Sequence, residues 1–509
     1  MSQLTNNKRI AKNTIMLYIR MFFTMIVSLY TSRIILETLG VEDYGIYNAV
    51  GGFVAMFAII SNSLSAAISR FITYELGKGT QERINKIFST AVLIQIIISF
   101  GIILLAITLG FWFINSKMVI PEDRLNAANW VFYLSVLTFV VNLISVPYNA
   151  CIIAHEQMKA FAYIGIIEAV LRLGIAFAII ISPIDALVFY ALLMCLLAVL
   201  IRSLYGTYCK RHFEECHFRW VYDKVLVKEI FGFAGWNFIG ASSGVLKDQG
   251  VNVLLNIFCG PAVNAARAIA MQVSSAVTLF STNFMTALNP QITKSYAANE
   301  KEYVFSLVCK GARFSFLLLF VLSLPILVET DTILTLWLKV VPDFLVPFTR
   351  LVLLSALIGS LSQGMITLML ATGDIRKYQL VVGGVVLLDF PLSYIALKLG
   401  FSPSSVFVIA AFIAFCCLFL RLKMLKDMVG FPVGLFVSSV LIRVLIVSLV
   451  SMIIPLLLTY FMPTTIFRML LNGCLCVLVS MASIFVIGCT PLERKMVTSK
   501  MKNIFKRSK

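Results

Sequence analysis

The chain has 509 residues, of which 60% are hydrophobic and 13% charged; soluble domains run nearer about 45–50% and about 25%. Lys and Arg number 42 against 24 Asp and Glu, a net charge of +18, and the mean hydropathy is +0.95. These values exclude a disordered chain, a small disulfide-stapled secreted module and an ordinary soluble enzyme, and leave a polytopic all-α membrane protein.

The first residues, MSQLTNNKRIAKN, are polar and basic. The apolar run behind them has no small-residue cleavage site and carries Arg20 and Arg33, so it is expected to be an uncleaved first span. About 20 apolar residues in a helix cross the hydrocarbon core. Runs of that kind fall at 13–36, 44–70, 88–114, 127–154, 160–181, 185–208, 230–257, 261–289, 304–328, 344–371, 378–399, 403–421, 433–460 and 465–489, fourteen expected spans. Between them stand turn residues such as Gly40, Ser182-Pro183, Gly260-Pro261, Pro342 and Ser402-Pro403.

An even count puts both termini on one side. The span edges are approximate; with that side cytoplasmic and cations near an edge counted with the adjoining loop, as Arg313 is inside and Arg468 outside, 29 Lys and Arg fall in inner segments, 6 in outer segments and seven well inside spans. Positive charge collects in cytoplasmic loops, so this bias places both termini in the cytoplasm. No loop is long enough for a catalytic domain, so the chain is expected not to be an enzyme. The eleven Cys are scattered, most of them in apolar segments, and predict reduced, buried thiols. The basic balance reads as orientation and affinity for membrane lipids; no nucleic-acid motif accompanies it.

A weak repeat near offset 220 pairs Gly40 with Gly260, Ala67 with Ala287, Ile72 with Ile292 and Glu82 with Glu302. It predicts two six-helix lobes in the same orientation, residues 1–229 and 230–432, with two further helices and a basic cytoplasmic tail at 433–509. Transporters built from two such halves place substrate between them near the midplane.

At 100° per residue, polar side chains gather on single faces of four spans: Asn13, Arg20, Thr24 and Thr31 on the first, Asn48, Gly52, Asn62 and Ser69 on the second, Asn237, Gly244 and Asp248 with Lys247 beside them on the seventh, and Asn264, Ser275, Thr278 and Thr282 with Arg267 nearby on the eighth. Small and hydroxylated residues on such faces also serve close helix packing. That does not account for Arg20, Lys247 and Arg267, each costing about 2.5–3.5 kcal/mol at mid-bilayer. Snorkelling is the alternative for Arg20. Cations facing a wet cavity hold an anion, and phosphate suits Arg best. The candidate substrate site is therefore Arg20, Asn48, Asn62, Lys247, Arg267 and Thr278.

Three intramembrane acids, Glu168, Asp248 and Asp389, are candidates for ion coupling. Glu168 and Arg172 stand at i, i+4 and are expected to pair; for Asp389 a hydrogen-bonded structural role is the alternative. Cys209, His212, Cys216 and His217 are read as a flexible juxtamembrane loop rather than a zinc site. There is no P-loop and no other cofactor motif, so neither cofactor nor metal is expected.

The segments TSRIILETLGVEDYGIYNAVGG (31–52), SLSAAISRF (63–71), VPYNACIIAHEQMKAFAYIGIIEAVLRL (146–173) and LNPQITKSYA (288–297) resemble the bacterial polysaccharide repeat-unit flippases, which move O-antigen and capsule precursors. Their superfamily also holds multidrug and toxin extrusion (MATE) transporters and lipid II flippases. The resemblance implies a MATE-like fold of two six-helix lobes and a central cavity. It implies a substrate of oligosaccharide on undecaprenyl pyrophosphate, flipped across the cytoplasmic membrane, with polysaccharide polymerase and glycosyltransferases as partners. Arg20 and Arg267 stand where cavity cations of such flippases are expected, and the last two spans where a lipid-tail groove would form. Many MATE exporters of cationic drugs carry a carboxylate within the first span; here the only acid is Glu37, at its outer end. Cation-coupled drug export and a non-transporting scaffold of polysaccharide assembly are the competing readings.

Overall fold

The computed structural model describes residues 2–57, 81–155, 157–220, 223–338, 340–372 and 376–491, together with 64, 68, 71, 72, 493–495 and 498. Side chains before Phe22 and at 233–241 lie outside the described residues. The described chain is helical. Ten helices are long and apolar enough to cross a membrane, or eleven if the bent pair Leu345–Ser360 and Gln363–Ala371 is one span. Of the fourteen expected spans, 44–70 falls partly on residues outside the description, and part of the side chains of 230–257 do too. The chain divides into two units, 1–268 with 393–399, and 269–392 with 400–509.

The first unit holds α1 (Ser2–Ala55), α2 (Gln81–Leu105), α3 (Leu125–Ala154), α4 (Met158–Ala178), α5 (Ala186–His212), α6 (Lys224–Val245), α7 (Val251–Cys259) and the start of α8 (Pro261–Ala297). α1 is two helices joined at Gly40, whose φ/ψ of 79°/171° no L side chain adopts comfortably. Gly260, between α7 and α8, repeats that conformation at 83°/175°. The weak sequence repeat thus has a physical counterpart at one pair of positions. Neither glycine has a neighbour within 4 Å of an added Cβ, so any cost of substitution is backbone strain alone. Gly40→Ala is expected to cost about 1–3 kcal/mol. Gly40→Asn should cost as much, because this region, unlike the left-handed helical one, gives asparagine no relief. Unfolding midpoints of the two variants in detergent check this.

At the end of the bundle where positive charge is sparse, Arg124 ties three helices together. Its Nε donates to Asp43 Oδ1 at 2.7 Å, Nη2 bonds the other Asp43 oxygen, and Nη1 donates to Asp185 Oδ2 at 2.6 Å. Asp185 also caps α5, accepting from the amides of Leu187 and Val188. Although burial pushes the Asp185 carboxyl up, the Arg124 bond and these amides outweigh it and hold the pKa below the ordinary value.

At the basic end, the loop 213–217 is anchored rather than flexible, which corrects the sequence reading. Asn85 Nδ2 donates to the carbonyls of Glu215 and His217, Gln81 Nε2 donates to Glu215 Oε2, and the His155 ring bonds the other Glu215 oxygen. Cys209 and Cys216 are fully buried while His212 and His217 are exposed, so the four side chains do not converge.

The second unit holds α9 (Lys301–Val328), α10 (Leu345–Ser360), α11 (Gln363–Ala371), α12 (Arg376–Leu387), the start of α13 (Asp389–Lys398), α14 (Ser405–Val429), α15 (Ile442–Phe461) and α16 (Ile466–Ser483). Its apolar core runs from Met285 and Val308 through Phe316, Leu353 and Met365 to Phe436 and Cys476. Two buried ion pairs fasten the C-terminal segments to α9. Glu329 accepts from Arg468 Nη2 and Asn472 Nδ2 of α16, each at 2.9 Å. Arg313 Nη2 donates to Glu493 Oε1 at 2.5 Å.

Candidate functional site

α7 is preceded by a π-helical turn, Leu246–Gly250, in which the backbone ladder is widened. α8 opens with Pro261, whose fixed φ suits the first helical position. Between them, Asn264 Nδ2 donates to Asn252 O at 2.7 Å and Oδ1 at 2.8 Å, and Asn252 Nδ2 donates to Asn48 O at 3.0 Å. Asn48 itself donates to Tyr44 O at 2.7 Å. One turn along α8, Arg267 is nine-tenths buried, and its Nη2 donates to the Asp248 carbonyl at 2.6 Å. Lys247 is half-buried in the π turn, the Asp248 side chain is exposed, and the two form no ion pair.

The structure therefore brings four expected site residues, Asn48, Lys247, Asp248 and Arg267, onto adjoining turns of the first unit. Thr278 is half-buried in the second unit, where Asp389 is also buried, 1% exposed, at the start of α13. The Arg20 side chain and Asn62 lie outside the described residues.

Inside the first unit, Glu168 and Arg172 form the expected pair: Arg172 Nη2 donates to Glu168 Oε1 at 2.7 Å and Nε to the same oxygen at 3.2 Å. Around the pair is a polar cavity of about 350 Å³, lined by Thr24, Ser28 and Thr31 of α1, Tyr44, Tyr47 and Asn48 beyond the Gly40 break, and Tyr190 of α5. Sequence reasoning found Thr24 and Thr31 by their shared helix face and missed the tyrosines. Tyr47 and Tyr190, whose ring centroids are 4.7 Å apart, lie 143 residues apart in number, and no local pattern links them.

In the second unit, two clefts are almost wholly apolar. One of about 420 Å³ is walled by Phe280, Phe284, Phe314, Leu318, Met481 and Ile484; the other, about 320 Å³, by residues that include Phe316, Phe415, Phe419 and Leu445.

Residues 10–296 match the family described as polysaccharide biosynthesis protein. Over 305 residues the chain is 19% identical to the uncharacterized membrane protein EpsK of Bacillus subtilis (strain 168), covering 58% of this chain. The match spans 59% of that curated relative's length. Among solved structures, the lipid II flippase MurJ in an inward closed conformation superposes with a TM-score of 0.74 at 11% identity, over 93% of this chain and 98% of its own. The MATE multidrug transporter DinF-BH gives 0.58 at 16% identity, over 82% and 95%. Those likenesses establish a MATE-like, MurJ-like fold.

Proposed function

Because the chain belongs to the polysaccharide biosynthesis protein family, we propose that it is a flippase for oligosaccharide repeat units carried on undecaprenyl pyrophosphate. It works in the cytoplasmic membrane with both termini in the cytoplasm, and it supplies surface polysaccharide synthesis. Residues 1–229 and 230–432 are the two halves that alternate access, with 433–509 appended. Polysaccharide polymerase and glycosyltransferases are its working partners.

The observation that carries this reading is the buried Arg267 guanidinium. A guanidinium keeps its charge at any physiological pH. Its bond to the Asp248 carbonyl fixes its direction without changing that charge. With Lys247 in the adjoining π turn, it offers a pyrophosphate two cations within the first unit. Asn48 offers the glycan its side-chain oxygen, its amide nitrogen being held by Tyr44 O. The apolar clefts near the C-terminal helices suit the prenyl chain, and the coupling acid is drawn from Glu168, Asp248 and Asp389.

A hydrogen bond to a charged group contributes about 1.5–3 kcal/mol, so losing one weakens binding roughly 10- to 100-fold. Arg267→Ala is therefore expected to reduce surface glycan display by at least about tenfold, with Arg267→Lys intermediate because it keeps the charge and loses the fork. Display is read by immunoblot of surface polysaccharide in cells with matched protein levels. Intact display in Arg267→Ala and Lys247→Ala cells would overturn the cationic site. Loss of drug resistance with intact display would instead support the exporter reading.

A further inference from the structure

Beside the cavity around Glu168 and Arg172 lies a second polar cleft. It is about 330 Å³, walled by Thr138, Asn142, Ser145 and Asn149 of α3 and by α5 from Met194 to Tyr205. Glu168, Arg172 and Met194 line both hollows, with α1 flanking the pair in one and α3 in the other. Both hollows are open, and the pair does not divide them: the Arg172 side chain is half exposed and that of Glu168 about a third. Sharing these three residues, the hollows make one groove within the first unit. Its lining follows α5 from Tyr190 to Tyr205. At 1.5 Å per residue that is about 22 Å of helix.

Charge, hydrogen bonding and aromatic surface define what this groove takes. Among the described residues, Glu168 is the only carboxylate and Arg172 the only cation that line it, and Arg172 gives both Nη2 and Nε to Glu168. A cationic drug finds no unpaired carboxylate there, and a phosphate no unpaired cation. Hydroxyl and amide side chains line both arms. Thr31 Oγ1 in one and Asn149 Oδ1 in the other are buried, and among the described residues neither has a hydrogen-bond partner; Thr31 as a whole is 8% exposed. Buried polar atoms are ordinarily bonded, so a ligand rich in hydroxyls, or the water it displaces, satisfies them. Tyr44, Tyr47 and Tyr190 face one arm and Tyr205 the other. Tyrosine joins an apolar face to a polar tip. A sugar ring has the matching chemistry, with C–H groups on its faces and hydroxyls around its rim. Each arm falls within the range of about 300–1,000 Å³ usual for small-molecule sites.

We propose that the first unit carries an oligosaccharide-binding groove, in which the Glu168–Arg172 pair hydrogen-bonds the hydroxyls of uncharged sugar rings and the tyrosines stack on their C–H faces. The Glu168 carboxylate accepts from neighbouring ring hydroxyls, and the Arg172 guanidinium holds that carboxylate in place. This rests on the flippase reading and divides its cargo: the glycan lies in the groove, and the pyrophosphate at Arg267 and Lys247. Asn48 joins the two places. It lines the groove, and its carbonyl accepts from Asn252, which Asn264 bonds in turn, one turn before Arg267 on α8.

The test uses the full chain in cells that make the polysaccharide. The photo-crosslinking residue p-benzoylphenylalanine is placed singly at Ser28 in one arm, at Asn142 in the other, and at Val170, which lies on α4, is 49% exposed and lines neither. After irradiation the chain is purified under denaturing conditions and mild acid removes the prenyl pyrophosphate. Sugar left on the probe peptide is read by mass spectrometry, with background set by a host unable to make the glycan precursor. The probes at Ser28 and Asn142 should carry sugar and the probe at Val170 should not. Sugar at all three alike, or at none, overturns the groove. In Glu168→Gln/Arg172→Gln the yield at Ser28 and Asn142 should fall at least about tenfold, the effect of losing one charge-assisted hydrogen bond. An unchanged yield in that variant overturns the proposal too, and should the variant not accumulate, the three probes in the otherwise unaltered chain decide. Surface glycan display is followed in parallel. Display that requires the chain, with no sugar captured at Ser28 or Asn142, sinks the groove and leaves the flippase reading standing. Sugar captured there by a chain whose deletion leaves display intact sinks the flippase reading and leaves the groove.

Discussion

Arg468→Ala is expected to destabilise the second unit by about 3–5 kcal/mol, the usual result of removing one partner of a buried ion pair. Glu329 is 2% exposed and Arg468 7%, so water does not replace the lost guanidinium. Glu329 would keep only Asn472 Nδ2 and the Thr332 hydroxyl, the latter at 3.1 Å. Arg468 also donates to Met462 O at 3.0 Å, which fixes the turn between α15 and α16, so that turn should loosen too. The same pair sets a pH dependence. Burial by itself pushes the Glu329 carboxyl up, but bonds from Asn472, Arg468 and Thr332 and the Arg468 charge outweigh it and hold the pKa below its ordinary value. A depressed carboxyl contributes stability that is present above the unfolded pKa and lost as pH falls through the folded one. Acidification below the ordinary carboxylate range should therefore destabilise the wild type more than a variant in which both Arg468 and Glu329 are replaced by apolar residues. Unfolding of purified protein in detergent, followed at several pH values, reads both effects. A double variant as unstable as Arg468→Ala would refute the unpaired-charge account.

The sequence reading reached this far only in part, for a definable reason. Composition and apolar run length dictate helices, because the bilayer interior demands that each backbone group be bonded within its own segment. Neighbours one turn apart were equally legible, as Glu168 and Arg172 pair as spacing predicts, and Gly40 and Gly260, matched at an offset of 220, share one unusual conformation. What escaped was long-range. Arg468 counted as an outer-loop charge and Arg313 as an inner one, yet both are buried against acids 139 and 180 residues away in sequence. A charge tally sees which side a cation is on, not whether a distant carboxylate covers it. The anchored loop at 213–217 was hidden for the same reason, since Asn85 and Gln81 lie more than 125 residues before it. Of the proposed cationic site, Arg267 and Lys247 were legible as charges on polar faces; the Asp248 carbonyl that aims Arg267 was not, because a π turn leaves no plain mark in the sequence.

Gly45→Val is expected to be the most damaging single change at the sparsely charged end. A Cβ at Gly45 would overlap the carbonyl group of Pro261, and backbone cannot swing aside as a side chain does. Overpacking costs typically about 1–3 kcal/mol, and here it should reach or exceed the top of that range. Gly52 is the useful contrast. A Cβ there would meet the Asn252 amide, a side chain that can move at the expense of its bond to Asn48 O. Gly52→Ala should therefore be milder and act through the asparagine chain, and pairing it with Asn252→Ala should restore most of the loss. In the flippase reading, these contacts hold the outer ends of the helices at 41–55, α7 and α8 together, and alternating access requires them to part. Wedging them with valine at 45 then shifts the population toward the outward-open state as well as costing stability. Cysteines at Ala49 and Val253 should react with an impermeant reagent from outside faster in Gly45→Val than in the parent. Both are buried in the intact packing, at 0% and 7% exposure. Unchanged labelling in a folded Gly45→Val protein would mean that the glycines only pack the helices and gate nothing.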